Sequence, residues 1–484
     1  MPDTAPLLAA LAAGLDPSRW LPPAAAPYAP LLRDGMLHFL LRLPRRRQRE
    51  ILAAQATLPP AASPERRLAA VLRQSPTLHK LGQVLARDTR LPAALRAQLV
   101  PLESLPPQVP MPAIRRELAR QLGAVPELRL DRKPLAEASV AVVIRFRWPA
   151  SGDLPEQGVL KLLKPGIEQR LTEDLRAWSE LAAFLEQRGA ELDLPPLDYR
   201  DTLDGVARQL RQELDLRGER RNLRAFAEAS AHAADLTVPR LLPFCGERVT
   251  AMEYLPGPTL ARARLAPARA RAAAAALCRE LLARPFWSAR EALFHADPHA
   301  GNLLALPDGR IGVLDWSLIT RLSKEQREQM VQLALAALTE DAAAVCRAIA
   351  ALAGQPPAEQ PLRAAVEEWL AQWRRTRRLP DMDGLLALLD RVAQTARPAF
   401  PEELTLFRKA VHTLRGVCAS LGAPESLDDA LLRGAAAAVL PELPWRGFAP
   451  PLSRAFASHL STTDLWRAML GLQRHWIRRW WGLP

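Results

Sequence analysis

Residues 295–317 read HADPHAGNLLALPDGRIGVLDWS and carry the most specific pattern in the chain. Asp297 precedes Asn302 by five residues, and Asp315 follows after two short apolar runs that are joined by a PDG turn. This order is typical of phosphoryl transfer, in which one carboxylate faces the attacking group while the amide and the second carboxylate hold Mg²⁺. Because Mg²⁺ prefers oxygen ligands and keeps several waters, few protein ligands suffice.

The two histidines of this stretch allow a different interpretation. His295 and His299 are four residues apart, a spacing at which two zinc ligands lie on one helical face. Pro298 lies between them and disfavours the regular helix that such a site needs. We therefore prefer phosphoryl transfer and keep zinc as the weaker alternative.

A lysine upstream extends the phosphoryl-transfer pattern. Lysines are rare in this arginine-rich chain, and Lys161 lies in the apolar, strand-like segment GVLKLLKPG. A kinase uses a strand lysine to hold the α- and β-phosphates and pairs it with a glutamate on a helix. The alternative is a lysine whose stem covers apolar surface while its ammonium group stays in water.

Candidates for the partner glutamate lie in RQELDLRGERRNLRAF. On one continuous helix Asp215, Glu219 and Asn222 would share a face, since residues three and four apart are neighbours. Glu213 would point about 200° away from Asp215 by the same geometry. The alternative is a solvated charged helix with Glu/Arg pairs.

Hydrophobic periodicity predicts an α+β protein with a small β-containing lobe followed by a helical lobe. Proline-broken helices fill residues 1–68, and a second helical stretch reaches about residue 122. The strands are expected in SVAVVIRFRW, GVLKLL, the pair VPRLLPF and RVTAMEYL, and the hairpin NLLAL and IGVLD. The later helices are expected at 168–189, 202–230, 264–285 and 323–440.

Composition restricts the class of protein. With 484 residues, 49% of them hydrophobic, the chain can bury a sizeable core, which excludes wholesale disorder. Its four cysteines form no CxxC pair, so neither a structural zinc site nor a disulfide framework is expected. The N-terminus lacks the basic region of a signal peptide, and no run of 18 apolar residues predicts a membrane span. We expect a cytoplasmic protein.

The positive charge, +13 overall, is uneven. Residues 441–484 combine arginines with five tryptophans, the composition of a segment that lies on an anionic lipid surface. This predicts a peripheral position at the inner face of a membrane. The alternative is an ordinary helix that packs Trp466 and Trp476 on the core. Nucleic acid is not an expected partner, since no recognition motif accompanies the charge.

The motifs, in their order along residues 74–330, resemble those of the UbiB/AarF (ABC1-type) atypical kinase-like family. SPTLHKLGQVLARDTRLP is similar to its KxGQ segment, and LAEASVAVV to the alanine-rich loop that replaces a glycine-rich phosphate loop. VLKLLKPG, ELDLRGERRN, VTAMEYLPG and HADPHAGN resemble the lysine strand, the ExD helix, the hinge and the catalytic loop.

The resemblance implies a role for each matched residue. Lys161 would hold phosphates and pair with Glu219, Asp297 would act on the attacking group, and the metal ligands would be Asn302 and Asp315. The nucleotide would also meet Ala136, Ala138, Ser139, Glu253 and Tyr254. The regulatory contacts would come from Lys80, Gly82 and Gln83 of the KxGQ segment and from Glu213 and Asp215 of the ExD element.

The same resemblance implies a bilobal protein-kinase-like fold with an N-terminal helical extension. We divide the chain into a helical region (1–68), the KxGQ extension (69–130), the N-lobe (131–256), the C-lobe (257–440) and the tail (441–484). The KxGQ segment is expected to fold over the site, which favours ATPase or small-molecule chemistry with ATP and Mg²⁺ over protein phosphorylation. The pathway implied is that of ubiquinone or a related isoprenoid quinone, and an isoprenoid lipid is a candidate partner.

Three positions depart from the family pattern. Ser317 replaces the glycine of DFG, Val142 replaces a glutamine, and Glu137 puts a carboxylate in the alanine-rich loop. Two like charges about 5 Å apart at an effective dielectric near 20 cost roughly 3 kcal/mol. These departures keep open a pseudokinase scaffold that binds nucleotide or isoprenoid lipid without turnover. The segment Leu314-Asp315-Trp316 also resembles the corresponding segment of aminoglycoside and choline kinases. This leaves a phosphotransferase acting on a hydroxylated metabolite as a third possibility.

Overall fold

A computed structural model describes residues 4–15, 17–19, 21, 23–87, 109–123, 128–149, 152–195, 199–376, 381–423 and 426–481. The chain divides into two compact units. The first comprises Met1–Arg221 and Pro239–Tyr254, and the second comprises Asn222–Val238 and Leu255–Pro484. The five-part division expected from the sequence is finer than this and stays a prediction.

The first unit begins with a helical region. Leu8, Phe39 and Ile51 are fully buried there and share a core with Trp178 and Leu181 from a later helix. The helices of this unit are α1 (Ala5–Gly14), α2 (Ala29–Arg42), α3 (Arg45–Ala56), α4 (Pro64–Arg73), α5 (Pro76–Arg87), α6 (Met111–Leu122), α7 (Ile167–Glu191) and α8 (Tyr199–Leu214).

An antiparallel sheet completes the first unit and places Lys161. Its strands are β1 (Arg129–Leu130), β2 (Ala136–Glu137), β3 (Ala141–Arg147), β4 (Gln157–Leu163) and β6 (Val249–Glu253), in the order β1-β3-β4-β6 with β2 also paired to β3. Leu160 and Leu162 of β4 are buried in a core shared with Ile114 and Leu118 of α6. Since side chains alternate along a strand, Lys161 projects from the opposite face.

One expected strand is almost absent. The sequence predicts that VPRLLPF pairs with RVTAMEYL, but among the described residues this pairing is limited to an isolated bridge between Leu241 and Met252. The ladder does not extend because two backbone N–H groups donate to side chains instead, Arg240 N to Glu253 Oε2 at 3.2 Å and Ala251 N to Cys245 Sγ at 3.3 Å.

The second unit is mainly helical, with two small sheets. Helix α9 (Leu216–Ala229) starts in the first unit and enters the second at Asn222. One sheet has the order β5-β9-β8, with β5 (Leu236–Thr237) parallel to β9 (Ile311–Val313) and β8 (Leu303–Ala305) antiparallel to it. The other pairs β7 (Ala292–His295) with β10 (Ile319–Leu322).

Most helices of the second unit lie in the predicted ranges 264–285 and 323–440, and two further helices, Leu443–Arg446 and Thr462–Trp481, lie beyond them. These helices are α10 (Pro267–Cys278), α11 (Arg284–Phe286), α12 (Lys324–Leu338), α13 (Ala342–Leu352), α14 (Glu359–Thr376), α15 (Met382–Thr395), α16 (Glu402–Ser420), α17 (Ser426–Val439), α18 (Leu443–Arg446) and α19 (Thr462–Trp481). Residues Arg279–Ala283 form a π-helical turn between α10 and α11. Within the described ranges, none of the helices combines the length and apolar character needed to cross a bilayer. The α+β class is confirmed.

Candidate active site

Lys161 and Glu219 form a buried ion pair in the first unit. Lys161 Nζ on β4 lies 2.7 Å from Glu219 Oε1 and 2.9 Å from Oε2 on α9. Their side chains are 15% and 5% exposed, so the pair has little competition from water. The strand lysine and the helix glutamate that the family pattern pairs are therefore in contact.

Glu213 joins the KxGQ helix to the alanine-rich loop. Lys80 Nζ on α5 donates to Glu213 Oε1 at 2.5 Å, and Ser139 Oγ donates to Glu213 Oε2 at 2.7 Å. Gly82 and Gln83 lie on the same helix, one turn or less after Lys80.

The continuous helix expected through this segment is interrupted. Helix α8 ends at Leu214 and α9 begins at Leu216, because Asp215 Oδ1 accepts a hydrogen bond from Gly218 N at 2.8 Å and caps the second helix. The prediction that Asp215, Glu219 and Asn222 share the face of one helix is therefore wrong for Asp215. Its carboxylate lies 3.5 Å from Arg221, while Glu213 contacts Lys80.

Glu137, in the alanine-rich loop, forms an ion pair with Lys164. Its Oε1 lies 2.8 Å from Lys164 Nζ, and its Oε2 accepts a hydrogen bond from Val109 N at 3.2 Å. Burial lowers the pKa of the Lys164 ammonium group, and the ion pair with Glu137 opposes that shift. The carboxylate is thus buried and held by the protein. Ala138 closes the turn before β3 by donating from its backbone N to Ala141 O at 2.8 Å.

The predicted hinge lies where the chain leaves the first unit. Tyr254 is the last residue of that unit and Leu255 the first of the second segment that follows. Glu253 accepts hydrogen bonds from Arg240, at 3.2 Å from its backbone N and 3.3 Å from Nε. The Arg145 guanidinium carbon lies 5.4 Å from the centroid of the Tyr254 ring.

In the second unit, His295 forms hydrogen bonds inside the HADPHAGN loop. Asp297 N donates to His295 Nδ1 at 3.1 Å, and His295 Nε2 lies 3.1 Å from Leu314 O. Since a backbone N–H only donates and a carbonyl only accepts, the neutral Nε2–H tautomer satisfies both contacts. Burial lowers the pKa of His295, which agrees with a neutral ring.

Asp297 and Asn302 are held together by the backbone of this loop. Asn302 Nδ2 donates to Asp297 O at 3.3 Å, and Asn302 O accepts from Leu314 N at 2.8 Å. Lys409 Nζ on α16 lies 3.7 Å from Asp297 Oδ2. No motif connects Lys409 with this loop, because 111 residues separate it from Asp297 in the chain.

Asp315 adopts a left-handed backbone conformation with φ +57°. Such a conformation is uncommon for a residue other than glycine, and it clusters at functional sites. Ser317 is not among the left-handed residues of the described segments, so serine at that position has no conformational cost here. Trp316 is buried between Phe226 and His295, and Asn222 Nδ2 donates to its carbonyl at 2.9 Å.

The zinc alternative finds no support in this loop. His299 Nδ1 accepts a hydrogen bond from Gly301 N at 3.0 Å, just as His295 Nδ1 accepts one from Asp297 N. The described residues contain no group of three or more His, Cys, Asp and Glu side chains placed to hold a metal. Asn302 and Asp315 supply an amide and a carboxylate oxygen, the donor types that Mg²⁺ takes from proteins.

Comparison with known proteins decides the family. Residues 102–349 match the ABC1 atypical kinase-like domain, about half of the chain. The chain belongs to the ABC1 atypical kinase-like family. The kinase-like fold and the family expected from the motifs are thereby confirmed, whereas the roles of single residues remain predictions.

Named relatives place this ABC1 protein among plant and bacterial sequences. It is 32% identical over 275 residues to an uncharacterized aarF domain-containing chloroplastic protein kinase of Arabidopsis thaliana, a match covering 52% of this chain and 47% of that protein. It is 28% identical over 372 residues to a probable protein kinase UbiB of Xanthomonas oryzae pv. oryzae, covering 71% of this chain and 64% of the relative. The aligned part thus spans less than two thirds of either relative.

Among solved structures, this ABC1 chain is similar to a Mycobacterium tuberculosis protein in complex with erythromycin. The two are 20% identical with a TM-score of 0.47, over 66% of this chain and 81% of the other.

Proposed function

We propose that this ABC1-family protein binds ATP with Mg²⁺ and acts as an ATPase or small-molecule kinase that supports ubiquinone or related isoprenoid-quinone metabolism. The observation that carries the proposal is the bidentate ion pair between Lys161 and Glu219. A buried lysine is costly unless it is paired, and this pairing fixes the ammonium group as a kinase needs it for phosphate.

Each proposed role follows from the side chain and its surroundings. Lys161 would hold the α- and β-phosphates, oriented by Glu219. Asp297 would position or deprotonate the attacking water or hydroxyl group. Asn302 and Asp315 would hold Mg²⁺, which when bound neutralises charge on the phosphate oxygens.

The first unit favours small-molecule chemistry over protein phosphorylation. Glu213 contacts both Lys80 of the KxGQ helix and Ser139 of the alanine-rich loop. Ala136, Ala138 and Ser139 are the proposed phosphate-side contacts of the nucleotide, and Glu253 and Tyr254 the proposed adenine-side contacts. A KxGQ helix connected to the alanine-rich loop through Glu213 would leave little room for a protein substrate.

Two observations favour turnover over the pseudokinase scaffold. The Glu137 carboxylate, whose charge would repel phosphate, is paired with Lys164. The serine at position 317 has an ordinary backbone conformation. The third possibility, a phosphotransferase acting on a hydroxylated metabolite, keeps the same site residues and differs only in the acceptor.

Thermal unfolding with and without Mg²⁺-ATP and Mg²⁺-ADP tests the nucleotide site. A ligand at 100 times its Kd adds about 2.7 kcal/mol to the free energy of unfolding, enough to raise Tm measurably. We expect the rise in wild type, its loss in Lys161→Met and Asp315→Asn, and its retention in Lys133→Met, a matched change at an exposed lysine.

Turnover is then measured with the same variants. We expect Asp315→Asn to abolish Mg²⁺-dependent ATP hydrolysis, since the metal loses a carboxylate ligand. Unchanged hydrolysis in that variant would contradict the assignment, and binding without hydrolysis in wild type would favour the scaffold. An ATP-dependent product in a screen of hydroxylated acceptors would favour the phosphotransferase.

We also propose a peripheral position at the inner, anionic face of a membrane, where an isoprenoid lipid is the candidate partner. The support is the arginine and tryptophan content of residues 441–484 together with the net charge of +13.

A further inference from the structure

Helix α19 turns its apolar side away from the protein. Trp466, Met469 and Leu470 are 61%, 52% and 54% exposed, and Trp476, Ile477 and Trp480 continue the exposed row. At 100° per residue these six side chains fall within an arc of about 120°. A helix on a protein surface normally buries such a stripe, so this one is inverted.

The opposite side of α19 attaches the helix to the second unit. A Cβ atom at Gly471 would lie 3.1 Å from Leu338 Cγ and 3.2 Å from Thr339 Cγ2, so the backbone of α19 packs closely on the end of α12. Asp464 is 1% exposed, and its carboxylate accepts hydrogen bonds from Arg454 and Ser461. The face of α19 that packs on the second unit therefore consists of small residues and hydrogen-bonded polar residues, and its apolar face is exposed.

Basic groups border the apolar face. Arg467 and Arg474 lie on α19, at about 100° and 80° from Trp466 around the helix axis. No acidic residue occurs between Leu465 and Pro484. Further exposed apolar side chains precede the helix, among them Trp445 at 68% and Phe448 at 88%. Exposed patches of this kind, apolar with a basic edge, are what a helix on an anionic membrane presents.

A groove of about 680 Å³ lies beside this face, lined by α12, α13 and α19. Arg347, Arg467 and Arg474 line it. Among the described residues, no acidic side chain lies within 4.0 Å of Arg347 or Arg474, and Gln332 Nε2 in the same groove is a buried donor without a hydrogen-bond partner.

Among the residues that line the groove, the one carboxylate, that of Asp341, already accepts a backbone hydrogen bond. Asp341 Oδ1 accepts a hydrogen bond from Ala344 N at 2.9 Å and caps α13. The groove thus offers unused donors and positive charge, which suit a phosphate group.

We propose that α19 docks on a bilayer through its Trp466–Trp480 face and that the groove binds the phosphate headgroup of an anionic phospholipid in that bilayer. The inference deepens the proposed membrane location and rests on it, but it is independent of the nucleotide site.

Flotation of the full chain with vesicles tests the proposal. The vesicles contain phosphatidylcholine alone, or equal parts of phosphatidylcholine and phosphatidylglycerol. We expect wild type to float with the anionic vesicles and to remain largely unbound with phosphatidylcholine alone. Trp466→Ser/Trp480→Ser removes apolar area and should weaken binding by about tenfold or more.

The groove is tested by Arg347→Glu/Arg474→Glu. A basic group near an anionic surface contributes about fivefold, so losing two should weaken binding to the anionic vesicles about 25-fold or more. Matched controls are Leu7→Ser/Leu32→Ser, at two exposed leucines outside the face, and Arg271→Glu, at an exposed arginine of α10. Both controls should float like wild type.

Other outcomes would overturn the proposal. Equal flotation of all variants would show that neither the α19 face nor the groove binds the membrane. A concentration-dependent dimer in sedimentation that is lost in Trp466→Ser/Trp480→Ser, without vesicle binding, would make the face a contact between copies. A rise in Tm with inorganic phosphate that depends on Arg347 and Arg474, again without vesicle binding, would assign the groove to a soluble anion.

An unchanged Tm shift with Mg²⁺-ATP in every variant serves as the fold control. It also separates a failure of the membrane inference from a failure of the nucleotide assignment.

Discussion

Lys409 is the residue that most extends the candidate site beyond its motifs. Its ammonium group, on α16, lies 3.7 Å from the carboxylate of Asp297, the proposed base. A positive charge at that distance orients the carboxylate and can also attract a phosphate group that approaches it. Lys409 and Asp297 belong to the same unit, so the contact is set by packing within the helical part of the chain.

Replacing Lys409 by Met should lower kcat for Mg²⁺-ATP hydrolysis roughly tenfold, since a preorganised charge near the reacting groups is lost. Lys409→Arg should retain most of the activity because it keeps the charge. Arg408→Gln is the matched control on the same helix, where the guanidinium pairs with Asp390 at 2.8 Å. Equal kcat and pH profile in Lys409→Met and wild type would assign Lys409 a structural role only.

At the scale of elements, helix α5 is held by a buried aspartate from α7. Asp174 Oδ2 accepts hydrogen bonds from Ser75 Oγ at 2.5 Å and Thr77 N at 3.3 Å, at the start of the helix that carries Lys80. Its Oδ1 lies 3.1 Å from Arg47 Nη2, and both side chains are fully buried. Burial raises the pKa of Asp174, and the charge of Arg47 opposes that shift.

Asp174→Ala should lower the free energy of unfolding by about 2–4 kcal/mol, because Ser75 and Thr77 lose a buried acceptor and the buried Arg47 guanidinium keeps Glu173, at 3.2 Å, in place of two close carboxylates. Urea unfolding measures the loss. Glu180→Ala is the control on the same helix, where an exposed ion pair with Arg42 should be worth less than about 1 kcal/mol. If the two variants lose the same stability, Asp174 does not anchor α5.

Local signals explain which elements were predictable. The strands β3 and β4 follow from short β-branched and apolar runs bounded by turn residues, and the structure has them within two residues of the expected ranges. The break at Asp215 was missed because the charged periodicity of the segment is helical on both sides. The Asp215–Gly218 cap was readable in principle, yet an aspartate at the same spacing also occurs inside continuous helices.

For the molecule as a whole, buried histidines predict sensitivity to acid. His459 is fully buried, with its Nε2 2.9 Å from Phe286 O and 3.1 Å from Arg327 Nη1. Burial, and then the charge of Arg327, lower its pKa from 6.5 to about 4. The folded protein therefore holds this ring neutral while the unfolded chain protonates it, so stability falls as the pH drops below about 6.5.

His459→Asn should remove this contribution. Asparagine tolerates the left-handed φ of +58° at this position. Between about pH 7 and pH 5 the free energy of unfolding of wild type should fall about 2 kcal/mol more than that of the variant. Urea unfolding at both pH values measures the difference, and His412→Asn, at a partly exposed histidine, is the control. Parallel pH curves for His459→Asn and wild type would show that another group titrates.

Contacts distant in sequence set the limit of prediction at this scale. Motif order alone gave the family and the pairing of Lys161 with Glu219, because the family pattern relates these positions directly. The pairing of Glu137 with Lys164 and the approach of Lys409 to Asp297 depend on packing that no periodicity encodes. The outward face of α19 was likewise not readable, since its composition fits a buried helix equally well.

The scarcity of lysine has a practical consequence for handling this protein. Among the described residues, ion-pair partners are present for five of the six lysines, all but Lys133, and Lys80, Lys161 and Lys164 are between 13% and 16% exposed. Amine-reactive dyes, cross-linkers and sensor coupling therefore find few targets besides Lys133, which is exposed. A reagent that goes further reaches the partly buried lysines, Lys161 of the candidate site among them, so extensive amine labelling should weaken nucleotide binding.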